Sequence, residues 1–426
     1  MKKGHLIAML ALVAAGTAGA DPTVTGVSLT QENGLVEVTY TLDEKAVVTV
    51  DFLVNDVSIG AKRFAGVCGD VNRVVAAGTG KISWMPGEAC RDIAAGKLKA
   101  KVTAWSLKSP PDYMVIQAGY PKKNIRFYVS ADALPDGGLA NRIYARDRLV
   151  MRKIPSKNVP WRQVNMKAGL EALDLYPGSM QRERPSYVKF TYDYYMSVYL
   201  LTQGQVKNFG YATTASSPQD PERPWNGYKW VDIRGGTDGI LWPGPAGSTL
   251  AEAHSKVDDG SLIKMMRTST GISSLDLPTF AEFEFACRAG TQSNFYNGSD
   301  TVTADMTKRE TLYAWYKDFA TTPQPVGLLA PNPWGLYDMT GNVFCWILDR
   351  LWGNDQSQST SLANTKVDPR GTEAGVTSRY VCSGPCKSST IQGLHASAAS
   401  MIDQAAAGRD DVGARVACSA DLSADL

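Results

Sequence analysis

The stretch Pro331–Asp349, PNPWGLYDMTGNVFCWILD, is the part of this sequence that leaves the fewest folds open. Trp334, Leu336, Tyr337, Met339, Val343, Phe344 and Trp346 concentrate apolar area that must leave water, yet Gly335 and Gly341 interrupt any long regular helix. The segment is therefore expected to be buried as irregular backbone. Buried peptide groups need partners. Asp338, Thr340 and Asn342 are placed to supply them through local side-chain to backbone bonds.

The chain opens with Lys2 and Lys3, an apolar run from Leu6 to Ala15 and the small-residue site Ala18-Gly19-Ala20. That is the form of a secretory signal peptide over residues 1–20, cut before Asp21, and it predicts a secreted or periplasmic protein. The run is too short to span a bilayer, and no later segment reads as a transmembrane helix. Beyond the cut the chain has room for two or three domains. Of 44 basic residues against 42 acidic, Lys2 and Lys3 leave with the leader, so no positive excess remains for phosphate contacts and nucleic acid is not an expected partner. His254 and His395 are the histidines beyond the leader, which excludes His-rich zinc sites and iron sites built on three imidazoles. Seven cysteines in an exported chain predict some disulfides and at least one leftover thiol. Cys68 with Cys90, in one predicted domain, is the natural pair.

From residue 21 to 130 the pattern has period two. Val36, Val38, Tyr40 and Leu42 alternate with Glu37, Thr39 and Thr41, and Val48, Val50, Phe52 and Val54 repeat the rhythm. Short alternating strands between Gly, Asn and Asp turns predict an all-β sandwich, immunoglobulin-like or fibronectin-like, serving as a spacer or adhesive module. Residues 131–147, with Pro135, Gly137 and Gly138 and no sustained period, read as a linker. The Ser/Gln-rich run 356–361 reads as a loop. In the second domain, 148–426, Thr202 with Gln205 and Thr279 with Glu282 have capping-box spacing. The amphipathic run ending at Gly271 is one further helix signal, and Gly290 is placed to stop the helix that Thr279 caps.

GLYDMTGNVFCW, from Gly335 to Trp346, resembles the GLYDM-x-GNVWEW signature of the formylglycine-generating enzyme family, the sulfatase-modifying-factor domain with a C-type-lectin-like fold. Other segments come in the family's order: DLPTFAEFEFACRAG for LPTEAEWEYACRAG, then YAWYKD, QPVG and the closing Gly413-Ala414-Arg415 for GFR. The resemblance covers about two thirds of the chain and implies an α+β lectin-like domain after the β-sandwich.

In the family's active members, copper held by two cysteines uses oxygen to convert a sulfatase cysteine to formylglycine, and thiolates suit Cu(I) because both are soft. Here the corresponding segment departs. Arg379 keeps the usual Arg, SGPC stands for GGSW or GGSY with Pro385 at a serine position, and the two copper cysteines fall, without gaps, on Ser388 and Gly393. Neither binds copper. Cys382 and Cys386 are the catalytic candidates left, either as a displaced copper pair, or as a short-range disulfide, partners of other cysteines, or ordinary buried thiols. The resemblance also implies a calcium site using Asp338, the carbonyls of Gly341 and Val343, and a glutamate that is Cys345 here, which makes calcium doubtful. Phe344, Ser388 and His395 are the candidates for a ligand surface.

Two functions are compatible with these residues. One is a secreted, catalytically degenerate relative whose former active-site face, rewritten between Val381 and Asp411, binds an extracellular protein or glycan. The other is a surviving copper-dependent oxidase. The serine, both aligned cysteines and the calcium glutamate are all replaced, which favours binding, since fold alone does not carry an activity across such losses.

Overall fold

The computed structural model describes residues 8–9, 21–64, 66–87, 90, 97–119, 124–163, 186–214, 216, 218–235, 242, 249, 252, 254, 257–293, 295–298, 313–316, 319–350, 362–370, 378–388, 394–396, 399–403, 405 and 407–426. Most of residues 1–20, the run 356–361 and Gly393 lie outside them. The chain divides into two compact units. One comprises Met1–Val115, Ile125–Asn141 and Ala420–Leu426; the other, Ile116–Asn124 and Arg142–Ser419.

Among its described residues the first unit is all β apart from short 3-10 turns. Strand β1 (Val24–Glu32) pairs antiparallel with β2 (Leu35–Leu42), and β2 with β5 (Gly78–Trp84). In a second sheet, β3 (Ala46–Val54) pairs antiparallel with β4 (Arg73–Val75) and β6 (Leu98–Trp105). Both sheets contribute to one core: Val36, Val38, Tyr40, Leu42, Ile82 and Trp84 from the first, and Val48, Val50, Phe52 and Leu98 from the second. The Phe52 ring stacks on Trp84 at 4.5 Å. Each such side chain contributes about 1.5–3 kcal/mol by leaving water. β2 buries every second residue, as its alternation predicts. β3 is buried on both faces from Ala46 to Val50, where Trp105 Nε1 donates to Thr49 Oγ1 at 2.8 Å. Opposite Tyr40 in the ladder stands Gly80, where a Cβ would come within 2.2 Å of the Tyr40 ring.

Residues 131–147, expected to be a linker, carry two 3-10 turns, Ala131–Ala133 and Gly138–Ala140, and a four-residue helix α1 (Ile143–Arg146). Of the expected pair, Cys68 is exposed, with Sγ donating to Ser83 O at 3.6 Å, and Cys90 is buried.

In the second unit β7 (Arg148–Ile154), β8 (Tyr194–Ser197) and β13 (Ala417–Ser419) form an antiparallel sheet in the order β7-β8-β13. A second sheet has the order β11-β10-β9-β12, with β9 (Phe344–Arg350), β10 (Ser378–Cys382), β11 (Ala399–Asp403) and β12 (Val412–Gly413). β9–β10 and β10–β11 are antiparallel and β9–β12 is parallel.

The helices whose bounds lie among the described residues are short: besides α1, they are α2 (Gln203–Asn208), α3 (Trp230–Arg234), α4 (Leu262–Thr270) and α5 (Phe280–Arg288). The capping boxes Thr202–Gln205 and Thr279–Glu282 are both made. α4 stops at Gly271 in the left-handed region (φ 74°), as its sequence predicts. α5 stops one residue before the expected glycine: Ala289 already takes φ 46°, and Gly290 follows at φ 85°.

Candidate functional site

Most of the Pro331–Asp349 stretch is buried, with Pro333 exposed and Phe344 partly so, and its irregular backbone is held by short polar side chains. Asn332 Nδ2 donates to Ala286 O at 2.7 Å, and its Oδ1 accepts from the Trp334 and Leu336 amides at 3.0 Å, pinning the loop to the end of α5. Asp338 Oδ2 accepts the Gly327 amide at 2.8 Å. The Asn342 amide N–H donates to Trp315 O at 3.0 Å, and Asn342 O accepts the Cys386 amide at 2.7 Å. Thr340 Oγ1, expected to act similarly, has no partner among the described residues. Gly341 is required where it stands: its φ is +80°, and a Cβ would lie 2.6 Å from Trp315 O.

At the calcium site that the resemblance implies, the Asp338 and Gly341 oxygens are engaged. Besides the Gly327 amide, Asp338 receives Asn342 Nδ2 at 3.4 Å, and Gly341 O accepts Ser383 Oγ at 3.2 Å. Burial pushes the Asp338 carboxyl above the usual carboxylate range, with Arg415 opposing. Arg415 is itself buried, donates to Ser197 O at 2.8 Å and to Tyr337 O, and its charge acts on both Asp338 and Cys345. Burial pushes the Cys345 thiol up to about 12 despite that guanidinium.

The two candidate copper thiols do not share a strand. Cys382 closes β10, where Cys345 on β9 is its cross-strand partner; Cys386 sits in the following turn, in which the Ser388 amide donates to Pro385 O at 2.8 Å. Cys382 and Cys386 are both 0% exposed. Burial pushes the Cys386 thiol up to about 11, so it is protonated at neutral pH.

Of the ligand-surface candidates, Phe344 and Ser388 are partly exposed, while His395 is buried and burial pulls its imidazole down to about 4. The Phe344 amide donates to Asp411 O at 2.8 Å. That places Phe344 beside two ion pairs, Arg409–Asp411 and Lys387–Asp410, each at 2.6 Å. Arg379, kept from the family pattern, is buried, with its guanidinium carbon 3.9 Å from the centroid of the Trp230 ring and Nη1 donating to Leu348 O at 2.6 Å.

Two buried charge clusters are almost unmarked in the sequence pattern. Asp276 receives Arg234 Nε at 3.0 Å, Arg267 Nη2 at 2.9 Å and faces His254 Nδ1 at 2.9 Å. At the start of α5, Asp349 accepts the Phe280 amide and Glu282 receives the Tyr192 hydroxyl at 3.1 Å. Burial pushes both carboxyls up to about 7. Only the Thr279–Glu282 spacing is visible in sequence.

A formylglycine-generating enzyme of Thermomonospora curvata is 30% identical over 165 residues, which is 36% of this chain and 51% of that protein. The chain thus spans about half the length of that relative. Among solved structures, Treponema denticola variable protein 1 aligns at 18% identity and TM-score 0.45, covering 64% of this chain and 95% of that one. PvdO from Pseudomonas aeruginosa aligns at 16% identity and TM-score 0.43, covering 64% and 94%. The pattern of the sulfatase-modifying factor enzyme 1-like domain matches residues 162–420, more than half the chain, and on that match the chain belongs to the sulfatase-modifying factor family.

Proposed function

We propose that this chain is a catalytically degenerate member of its family, which uses the sulfatase-modifying-factor domain to bind an extracellular protein or glycan. The observation that carries the reading is the burial of Cys382 and Cys386, both 0% exposed. Formylglycine generation requires a substrate cysteine to meet the metal, and a copper ion on these two sulfurs would have no open side. The Cys386 thiolate is also disfavoured, since burial holds that thiol at about 11.

Calcium does not fit either. Asp338 is already hydrogen-bonded at both oxygens, Gly341 O is engaged, a thiol occupies position 345, and buried Arg415 places a like charge beside any cation. The face we assign to ligand binding is the one around Phe344 and Ser388, edged by Lys387, Arg409 and Asp410. In this reading residues 1–20 are a secretory leader and the N-terminal all-β unit is an immunoglobulin-like spacer. The balanced charge makes nucleic acid no partner. No helix among the described residues is long and apolar enough to cross a membrane.

The test loads the full chain with Cu(I) under reducing conditions and incubates it in air with a cysteine-containing sulfatase-motif peptide, followed by mass spectrometry. We expect no thiol-to-aldehyde conversion. Copper-dependent product that disappears in Cys382→Ser or Cys386→Ser would overturn the proposal and establish the oxidase. Binding itself is read on a glycan array and against cell-surface proteins, with Phe344→Ala expected to lose whatever signal the parent chain gives.

A further inference from the structure

The ladder between β9 and β10 sets Cys345 directly opposite Cys382, beside the pair Trp346 and Val381. Direct partners in an antiparallel ladder project to the same face, with Cα atoms about 4.5 Å apart in a non-hydrogen-bonded pair and about 5.5 Å in a hydrogen-bonded one. Either spacing lies within the roughly 4.4–6.8 Å that a disulfide spans. Both thiols are fully buried, so neither is there to meet solvent. In the sequence they look like unrelated departures, one from a calcium ligand and one near a copper motif. In space they are one pair.

We propose that Cys345 and Cys382 close a cross-strand disulfide in the oxidised protein, a modification site that ties β9 to β10. The proposal does not rest on the ligand-binding reading. The chemistry is thiol–disulfide exchange with an oxidised dithiol protein or a small disulfide as oxidant. One cysteine, as thiolate, attacks the oxidant's sulfur–sulfur bond and expels one thiol. The other then attacks the mixed disulfide, forming the Cys345–Cys382 bond and expelling the second. The pair loses two protons and two electrons, and the oxidant is reduced to two thiols. Since both sulfurs are shielded in the folded domain, exchange belongs to the stage when β9 and β10 are still pairing. Once formed, the bond is shielded from reductants by the same packing.

The rival product is a Cys382–Cys386 bond across the turn after β10, where the Cys386 amide is held by Asn342 O. The experiment separates the two. The full chain is folded in a glutathione redox buffer, denatured, alkylated without reduction and digested with trypsin. One peptide ending at Arg350 then carries Cys345, and a second, Tyr380 to Lys387, carries Cys382 and Cys386.

The expected product is these two peptides linked, two hydrogens lighter than their sum, with fragmentation placing the link on Cys382 and the alkyl group on Cys386. The link persists in Cys386→Ser and is lost in Cys382→Ala. Complete alkylation of Cys345, or a link mapped to Cys386, would overturn the proposal. Wild-type mapping alone decides it, so a variant that fails to fold does not weaken the test.

Discussion

Asn342 and Gln324 hold each other reciprocally: Asn342 Oδ1 accepts the Gln324 amide at 2.9 Å, and Asn342 Nδ2 donates back to Gln324 O at 3.1 Å. A side chain thus plays the part of a neighbouring strand for a segment that has none. Asn342 does this from φ +64°, a conformation that asparagine tolerates better than most residues. Asn342→Ala removes both bonds, strands polar groups inside the protein and keeps the unfavourable φ, for an expected loss of about 2–4 kcal/mol. Asn342→Asp keeps the acceptor but turns the donor into an oxygen facing Gln324 O and the buried Asp338 Oδ1, and should lose at least as much. Urea unfolding of both variants checks this; an unchanged midpoint in Asn342→Ala would show that the clamp is dispensable.

The Asp276 cluster should be equally sensitive, for a different reason. Burial alone would raise the Asp276 carboxyl, but Arg234, the His254 bond and Arg267 together hold it well below the usual carboxylate range. Removing the anion leaves two guanidinium groups inside the protein without their counter-charge. Asp276→Asn is therefore expected to cost about 3–5 kcal/mol. Because the folded value is depressed, the stability from Asp276 is present above the unfolded carboxylate pKa of 3.8 and is lost as pH falls through the folded one. Acid unfolding followed by circular dichroism should show the wild type losing its margin over Asp276→Asn below about pH 4. A constant difference down to pH 2 would remove the charge pairing as its cause.

The features legible in the sequence are local ones. Thr279 with Glu282, Thr202 with Gln205 and the stop at Gly271 each depend on residues within one helical turn, so spacing alone reveals them. The alternation of β2 is equally direct, because a strand with one buried face writes its burial into every second residue. The partnership of Cys345 with Cys382 is not legible, since it depends on strand register between distant segments. Asp276 presents the same difficulty: its two arginines come from α3 and α4. Asn332 looks like a turn residue and proves to clamp the end of α5, a role fixed by packing. The rewritten segment is visible as a departure, but only the fold shows that its cysteines face inward while Phe344 and Ser388 reach the surface.

Near neutral pH the carboxyls at the start of α5 should govern stability. Burial raises Glu282 and Asp349 from 4.5 and 3.8 to about 7, so each keeps its proton in the folded state where the unfolded chain has lost it. Their stabilising contribution is full below the unfolded values and is lost as pH rises through about 7. His395, pulled down to about 4 by burial, acts in the opposite sense below its ordinary 6.5, so the comparison must be differential. Glu282→Gln with Asp349→Asn keeps the capping geometry and removes both titrations. The urea midpoint of the wild type should fall relative to this double variant between pH 5 and 8. Parallel profiles would mean that neither carboxyl titrates in that range.

Thiol reactivity separates a buried scaffold from an active copper site without any assay of turnover. In the fully reduced, folded chain, Cys68 is exposed, whereas Cys345, Cys382 and Cys386 are buried. Raising Cys345 from 9.0 to about 12 lowers its thiolate population at neutral pH about 1000-fold. Shielding slows it further. Brief treatment with N-ethylmaleimide at pH 7 should therefore label Cys68 first and leave the three buried thiols until the protein unfolds. Cu(I) added before labelling should protect none of them selectively, because all three sulfurs are buried and burial suppresses the Cys345 and Cys386 thiolates that a soft metal needs. Labelling of Cys382 or Cys386 as fast as Cys68, abolished by Cu(I), would mean that these sulfurs reach the surface as thiolates. The burial argument against a surviving oxidase would then fail.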